Sequence, residues 1–203
     1  MASAIMHICI AKKVNEKLKK SEKNLLIGSI APDICKYIDV DRHTTHFTRG
    51  ESRIPKSKDF IEKYPNFYSS DYELGYYIHL LSDEIWFGEY LKKAFDEKNS
   101  AETMSKYENF TEEIYKDYIN LNIPLIEYYN LDLKVFYEEF NPISSEVSEV
   151  PTEKLNLIVD EMGLILKEEE RDAYSIIDLN FAVNYIDETS KRISNDLLRV
   201  MLV

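Results

Sequence analysis

The residues best able to do chemistry in this chain are its four histidines, His7, His43, His46 and His79, all of which fall in the first 79 positions. His79 and Asp83 stand four apart in a helical pattern, so an imidazole and a carboxylate leave one face a single turn apart and can converge on one cation. Alone, such a pair is more often an intrahelical hydrogen bond. His7 in line with an apolar stripe reads by itself as a core histidine, and Asp33 beside Pro32 as a helix or turn cap. Taken together with the histidine loop at 43 to 46, they bring nitrogen and oxygen donors from four separate elements, the mixture that zinc and similar borderline cations favour. Cys9 and Cys35 are close in sequence, but their isoleucine neighbours make each a better candidate for a buried, inert thiol than for a ligand.

The elements that must position these groups are helical. Ser3 caps a helix to about Leu18 in which His7, Ala11, Val14 and Leu18 share a face. Gly28 and Pro32 interrupt the next apolar segment; the proline pushes Ala31 toward extended backbone and leaves Asp33 at a bend. Residues 37 to 56 are polar and aperiodic, an ordered loop with at most one helical turn. A short helix at about Ser57 to Lys63 precedes a strong one, opened by a Ser70–Glu73 capping box and running to about Lys98. There Leu74, Ile78, Leu81 and Ile85 form one stripe, and His79, Asp83, Trp86 and Tyr90 the neighbouring one. Further helices are expected at about 101 to 120, after Pro124, at about 152 to 168, and from about Ser175 to the end. The last carries Leu179, Val183, Ile186, Ile193, Leu197 and Val200 on one face, with Ser190 at the gap.

The expected architecture is therefore all-α: a multi-helix bundle of six or seven helices forming one domain over residues 1 to 203, without internal repeats. Five glycines and six prolines are too few for the turns of a sandwich or barrel. Two cysteines do not make a disulfide-stapled secreted scaffold. Lys and Arg number 25 against 37 acidic residues, giving a net charge of -12, which disfavours long nucleic acid as a partner. The basic run from Lys12 to Lys23 reads as a solvated face at a helix end. The opening residues show no secretory pattern and no window is apolar enough for a membrane span, so a cytoplasmic protein with at most peripheral membrane contact is expected.

The order and spacing of Ser3-Ala4-Ile5-Met6-His7, Gly28-Ser29-Ile30-Ala31-Pro32-Asp33, His46-Phe47 and Gly75-Tyr76-Tyr77-Ile78-His79-Leu80-Leu81-Ser82-Asp83 resemble the zinc-dependent phospholipase C family, all-helical and related in fold to zinc-dependent single-strand nucleases. The resemblance covers residues 3 to about 90. It implies a zinc site, of one or two ions or another divalent metal, whose bound hydroxide attacks a phosphodiester or phospholipid. Carried over, Asp33, His46, His79 and Asp83 would hold one zinc, with Asp83 bridging to a second held by His7, and Asp33 would serve as catalytic base for the attacking water. His43 is the alternative to His46; Phe47 favours His46, because the family's histidine is likewise followed by an apolar residue.

The chain departs from the family twice. Secreted members use the amine of a processed N-terminal residue as a ligand, whereas here Met1-Ala2 precede the helix; and a further metal there uses later histidines, of which this chain has none. Glu89, or Asn184 with Glu188, would be the oxygen substitutes, although solvated groups on helix faces are the better description of them. Trp86, Tyr76 and Tyr77 are candidates for the pocket mouth, against a plain role in the core. Competing readings are a histidine-aspartate nucleotide phosphohydrolase, which needs an adjacent His-Asp pair missing here, and a helical binding protein with a structural metal.

Overall fold

The computed structural model describes residues 2–94, 107–137, 143–166 and 173–201. Among the described residues the fold is all-α, with nine α-helices and no strand. They are α1 (Ala4–Leu18), α2 (Glu22–Ile30), α3 (Arg42–His46), α4 (Ser57–Lys63), α5 (Asp71–Ile85), α6 (Tyr107–Tyr128), α7 (Lys134–Tyr137), α8 (Asn156–Ile165) and α9 (Leu179–Met201). None of them is long and apolar enough to cross a membrane. The count exceeds the six or seven expected because α3 and α7 are single turns of five and four residues, too short for a periodic pattern.

The centre of the bundle is the crossing of α2 on α5, and two glycines set its closeness. A Cβ on Gly28 would lie 2.0 Å from the carbonyl oxygen of Tyr72, and one on Gly75 would lie 2.1 Å from that of Leu25. The two backbones therefore touch with no side chain between them. α1 packs on both helices and on α9, and its buried face runs through Ile5, His7, Ile8, Ala11 and Val14. α5 is buried on nearly every side, since Leu74 and Ile78 of one stripe and His79, Asp83 and Trp86 of the other all have an exposure of 1 % or less.

Several segments differ from their sequence expectation for identifiable reasons. Ala31 is helical, not extended: Pro32 stands in the first turn of a 3₁₀ helix, Ala31–Lys36, that continues α2 directly and needs no amide there. Asp33 thus sits within this turn rather than at a bend. Pro124 lies inside α6 instead of opening a new segment. The buried stripe Ile114, Tyr118, Leu121, Leu125 passes through the proline, and packing on both sides of it outweighs a local cost of about 3 kcal/mol. α9 begins at Leu179, not Ser175, because the amides of Ser175, Ile176 and Ile177 donate to the buried carboxylate of Asp117 (2.8, 2.6 and 2.8 Å).

Ser70 caps α5 as expected, but Glu73 does not reach back to it; its carboxylate accepts from Ser145 Oγ and the Glu146 amide (3.0 and 2.9 Å), pinning the later loop. After Ile85 the helix widens into a π turn, Trp86–Tyr90, and stays helical through 91–94. Residues 95–98, 101–106 and 167–168 of the expected helices lie outside the described residues. The basic run is not merely solvated: Lys12 donates to the Asn130 carbonyl (2.8 Å), Lys13 pairs with Asp187 (3.0 Å) and Lys20 with Asp71 (3.7 Å).

Gly28→Ala or Gly75→Ala is expected to lower unfolding stability by about 3 kcal/mol or more, because a methyl group would press on backbone that cannot yield. Gly88→Ala, whose Cβ meets nothing within 4 Å, should leave stability unchanged or raise it by about 0.5 kcal/mol. Urea denaturation of the three variants checks both statements.

Candidate metal centre

Four helical segments deliver the polar groups to one buried place. α1 supplies His7, the 3₁₀ turn after α2 supplies Asp33, α3 supplies His46, and α5 supplies His79 and Asp83. All five have an exposure of 1 % or less. Their donor atoms form two overlapping groups, His7 with His79 and Asp83, and Asp33 with His46 and His79, each within 4.8 Å. The His7 and His79 rings stack with centroids 3.8 Å apart, and the His46 ring stands edge-on to His79 at 5.2 Å.

The hydrogen bonds assign the tautomers. His79 Nδ1 lies 2.8 Å from the Ser29 carbonyl, which can only accept, so the proton is on Nδ1 and Nε2 carries a lone pair. Ser82 Oγ donates to the His79 carbonyl (2.8 Å) and therefore accepts from His7 Nδ1 (2.8 Å). Thr45 Oγ1 directs its proton at the Arg42 carbonyl (3.4 Å) and takes that of His46 Nδ1 (2.9 Å). Each imidazole is thus held from behind and presents Nε2 inward, the arrangement that fixes metal-ligating histidines elsewhere.

What lies in front of these nitrogens is not a set of partners. His46 Nε2 and His79 Nε2 face each other at 3.3 Å, and two lone pairs so close in a buried site repel unless something positive takes them up. His7 Nε2 is buried without a hydrogen-bond partner, and inside the cluster Asp33 Oδ1 has only a long approach from His46. Asp83 turns its two oxygens to opposite sides: Oδ1 lies 3.5 Å from His7 Nε2, and Oδ2 lies 3.9 Å from both His46 Nε2 and His79 Nε2. Asp33 Oδ1 lies 3.5 Å from His46 Nε2. Lone pairs of nitrogen and oxygen converging in this way suit a divalent cation of the zinc type.

Two cations rim the cluster: Lys36 Nζ lies 3.1 Å from Asp33 Oδ2, and Arg42 Nη2 3.3 Å from Asp83 Oδ2. Burial would raise both carboxyl groups, but Lys36 and the neighbouring imidazoles at Asp33, and the His7 ring at Asp83, outweigh it and hold both below the usual carboxylate range. Burial lowers His46, against the pull of Asp33, and lowers His79 well below its ordinary value with help from the His7 ring. The resting site therefore sets ionised carboxylates beside neutral His46 and His79.

The other candidates are placed differently. His43 is exposed and its Nδ1 meets Thr48 Oγ1, so His46, not His43, enters the cluster. Glu89 is on the surface in a two-pronged pair with Arg192 (2.8 and 2.9 Å); Asn184 and Glu188 are exposed, and Asn184 accepts from Tyr90 (3.4 Å). None of these three belongs to either donor group among the described residues. Cys9 is buried and Cys35 half-buried, burial raises both thiols, and neither is in a donor group. Tyr76 and Trp86 are fully buried. Tyr76 donates to the Thr45 carbonyl, so its part is to brace the segment carrying His46.

The orienting groups Ser29, Thr45 and Ser82 were not foreseen from sequence; the last is the residue immediately before Asp83, and an i−1 serine on a buried helix face was the available signal. Where the family resemblance expects an amine ligand, the backbone N–H of Ala2 donates to Asp83 Oδ1 at 3.3 Å.

A family model described as zinc dependent phospholipase C matches residues 2–141. No curated protein and no solved structure matches the chain.

In the zinc-free protein the two neutral imidazoles set a pH dependence. Unfolding returns His46 and His79 to about 6.5, so below that pH the unfolded chain binds more protons and stability falls. The loss approaches about 1.4 kcal/mol per pH unit for each imidazole. Asp33, whose carboxyl is lowered in the fold, adds a loss of the same sign below about pH 4. Calorimetry between pH 8 and pH 5 should show Tm steady above pH 7 and falling beneath it; a flat profile would contradict the neutral assignment.

Proposed function

This chain belongs to the zinc-dependent phospholipase C family, and from that premise we propose that it is a zinc-dependent phosphodiester hydrolase whose metal is held by His7, Asp33, His46, His79 and Asp83. The observation that carries the reading is the set of three inward Nε2 lone pairs, each with its Nδ1 proton already engaged behind it. Asp33, His46 and His79 would hold one ion, and His7 and Asp83 a second, with the divided orientation of Asp83 suiting a bridge between the two.

When bound, zinc supplies the Lewis acidity that makes water a nucleophile near neutral pH and draws charge from a phosphoryl oxygen. The protein's own part is positioning and proton handling. Ser29, Thr45 and Ser82 lock the rings so that little reorganisation is needed during reaction. Asp33, ionised and paired with Lys36 through Oδ2 while Oδ1 faces the cluster, is the group placed to orient an attacking water and accept its proton. Arg42, a quarter exposed, lies at the edge where it neutralises charge on a phosphate. The substrate on this reading is a phospholipid or a small phosphodiester, in keeping with an acidic surface that does not gather long nucleic acid.

Elemental analysis of the purified protein should find about one to two zinc ions per chain, lost in His79→Ala and in Asp83→Ala. Hydrolysis of bis(p-nitrophenyl) phosphate should be abolished by chelation and restored by zinc, and should drop about a thousandfold or more in either variant. A protein that keeps zinc in both variants would exclude this site; a zinc-loaded protein inert to diesters, monoesters and nucleotides would leave the metal a structural role.

A further inference from the structure

A cavity of about 210 Å³ shares Asp33 with the histidine cluster. Lys36, Ala2, the cap Ser3 and the first residues of α1, Ala4 and Ile5, also line it. The first turn of α1 contains no acidic residue. Ser3 Oγ takes the Met6 amide (3.2 Å) and the Ser3 carbonyl the His7 amide (3.1 Å), which leaves the amides of Ala4 and Ile5 without an acceptor inside the helix. A positive helix end and a lysine ammonium thus line one cavity. The rest of the lining is mostly apolar and aromatic, with Tyr37, Tyr118, Ile158 and Met162 among it. Asn122 also lines the cavity, and its Oδ1 is buried without a partner at 6 % residue exposure, so a polar group waits there for a hydrogen bond that the protein does not provide.

We propose that this cavity is the substrate pocket of the site, that Lys36 is the anchor for a non-bridging phosphate oxygen, and that the group carried into the pocket is compact and uncharged. The inference rests on the hydrolase reading above and names its substrate class. The Lys36 ammonium is 3.1 Å from Asp33 Oδ2, and both residues line the cavity, so a phosphate bound at the cluster and reaching into the cavity would come within its range. The α1 amides, at the same cavity, add to its attraction for an anion. Asn122 takes a hydroxyl or N–H of the group beyond the phosphate, and the tyrosine walls cover its apolar face.

Size and charge then set selectivity. At about 210 Å³ the cavity is below the usual range of drug-sized ligand pockets, which suits one ring or one glycerol-sized unit better than a long acyl chain. A cationic head group in the pocket would meet the Lys36 ammonium and the positive helix end at close range, and the pocket discriminates against it.

Two measurements on zinc-loaded protein test this. Wild type should hydrolyse bis(p-nitrophenyl) phosphate with higher kcat/KM than p-nitrophenylphosphocholine. Lys36→Met should raise KM for the diaryl ester by about tenfold to a hundredfold, with kcat within about threefold and zinc content unchanged. The loss should be smaller for the choline ester, and Lys36→Arg should recover most of the affinity. Calorimetric titration with phenylphosphonate, which needs no turnover, should show the same tenfold or greater weakening in Lys36→Met and in Asn122→Asp. A preference for the choline ester, or a phenylphosphonate affinity that neither substitution moves, overturns the proposal. If wild type turns over no ester yet binds phenylphosphonate through Lys36, the pocket stands and the hydrolase reading is what has failed.

Discussion

Three buried imidazoles whose Nε2 lone pairs point at one another and at two carboxylates are the constraint around which this molecule is organised. An unpaired acceptor in such a place costs free energy comparable to a lost hydrogen bond, and here the acceptors are several and close. The surrounding architecture keeps them there. The Ser29 carbonyl is presented at the end of α2, against which α5 packs closely enough for His79 to reach it. Tyr76 braces the backbone before His46, and Tyr185 of α9 donates to the Ser82 carbonyl at 2.9 Å. Each tie removes a rotation that would let a ring turn away, so the fold holds the repulsion in place.

On the proposed reading, charge balance explains how an acidic protein would serve an anionic substrate. Asp33 and Asp83 are matched at the rim by Lys36 and Arg42, so a divalent ion added to the centre gives the site a local positive surplus. The surrounding surface, with its net charge of -12, repels polyanions, while a single phosphate that reaches the cavity meets the surplus at short range where screening by salt is weak. Selectivity for small diesters over long nucleic acid then follows from geometry of charge rather than from total charge.

The helices with strong periodicity were readable in the amino-acid order: Ser3 as a cap, α4 at its observed limits, α5 from its cap at Ser70 and the inward direction of His7. Helical periodicity puts His7, His79 and Asp83 on inward faces, but the full set with Asp33 and His46 comes through the family resemblance, since His46 lies in a stretch without periodicity and Asp33 at an expected bend. Other features depended on partners distant in sequence. Nothing near Ser175 announces that Asp117 will claim its amides, and nothing near Pro124 shows that a continuous buried stripe will carry the helix through it. Glu73 looked like a capping residue because its spacing from Ser70 is local; its actual partners are more than 70 residues away. Rules of local propensity fail at these places because tertiary bonds compete with local ones for the same groups.

The cavity that shares Asp33 with the histidine cluster is assembled from separate stretches of chain. Everything that touches the prospective ion comes from residues before position 84, whereas Tyr118 and Asn122 belong to α6, and Ile158 and Met162 to α8. The family match ends at residue 141, ahead of α8. Most of the cavity lining, Lys36, Tyr118 and Asn122 included, lies within the matched stretch, and only Ile158 and Met162 lie beyond it. Changes in α8 could therefore reshape one wall of the cavity while leaving the clustered histidines and aspartates as they are.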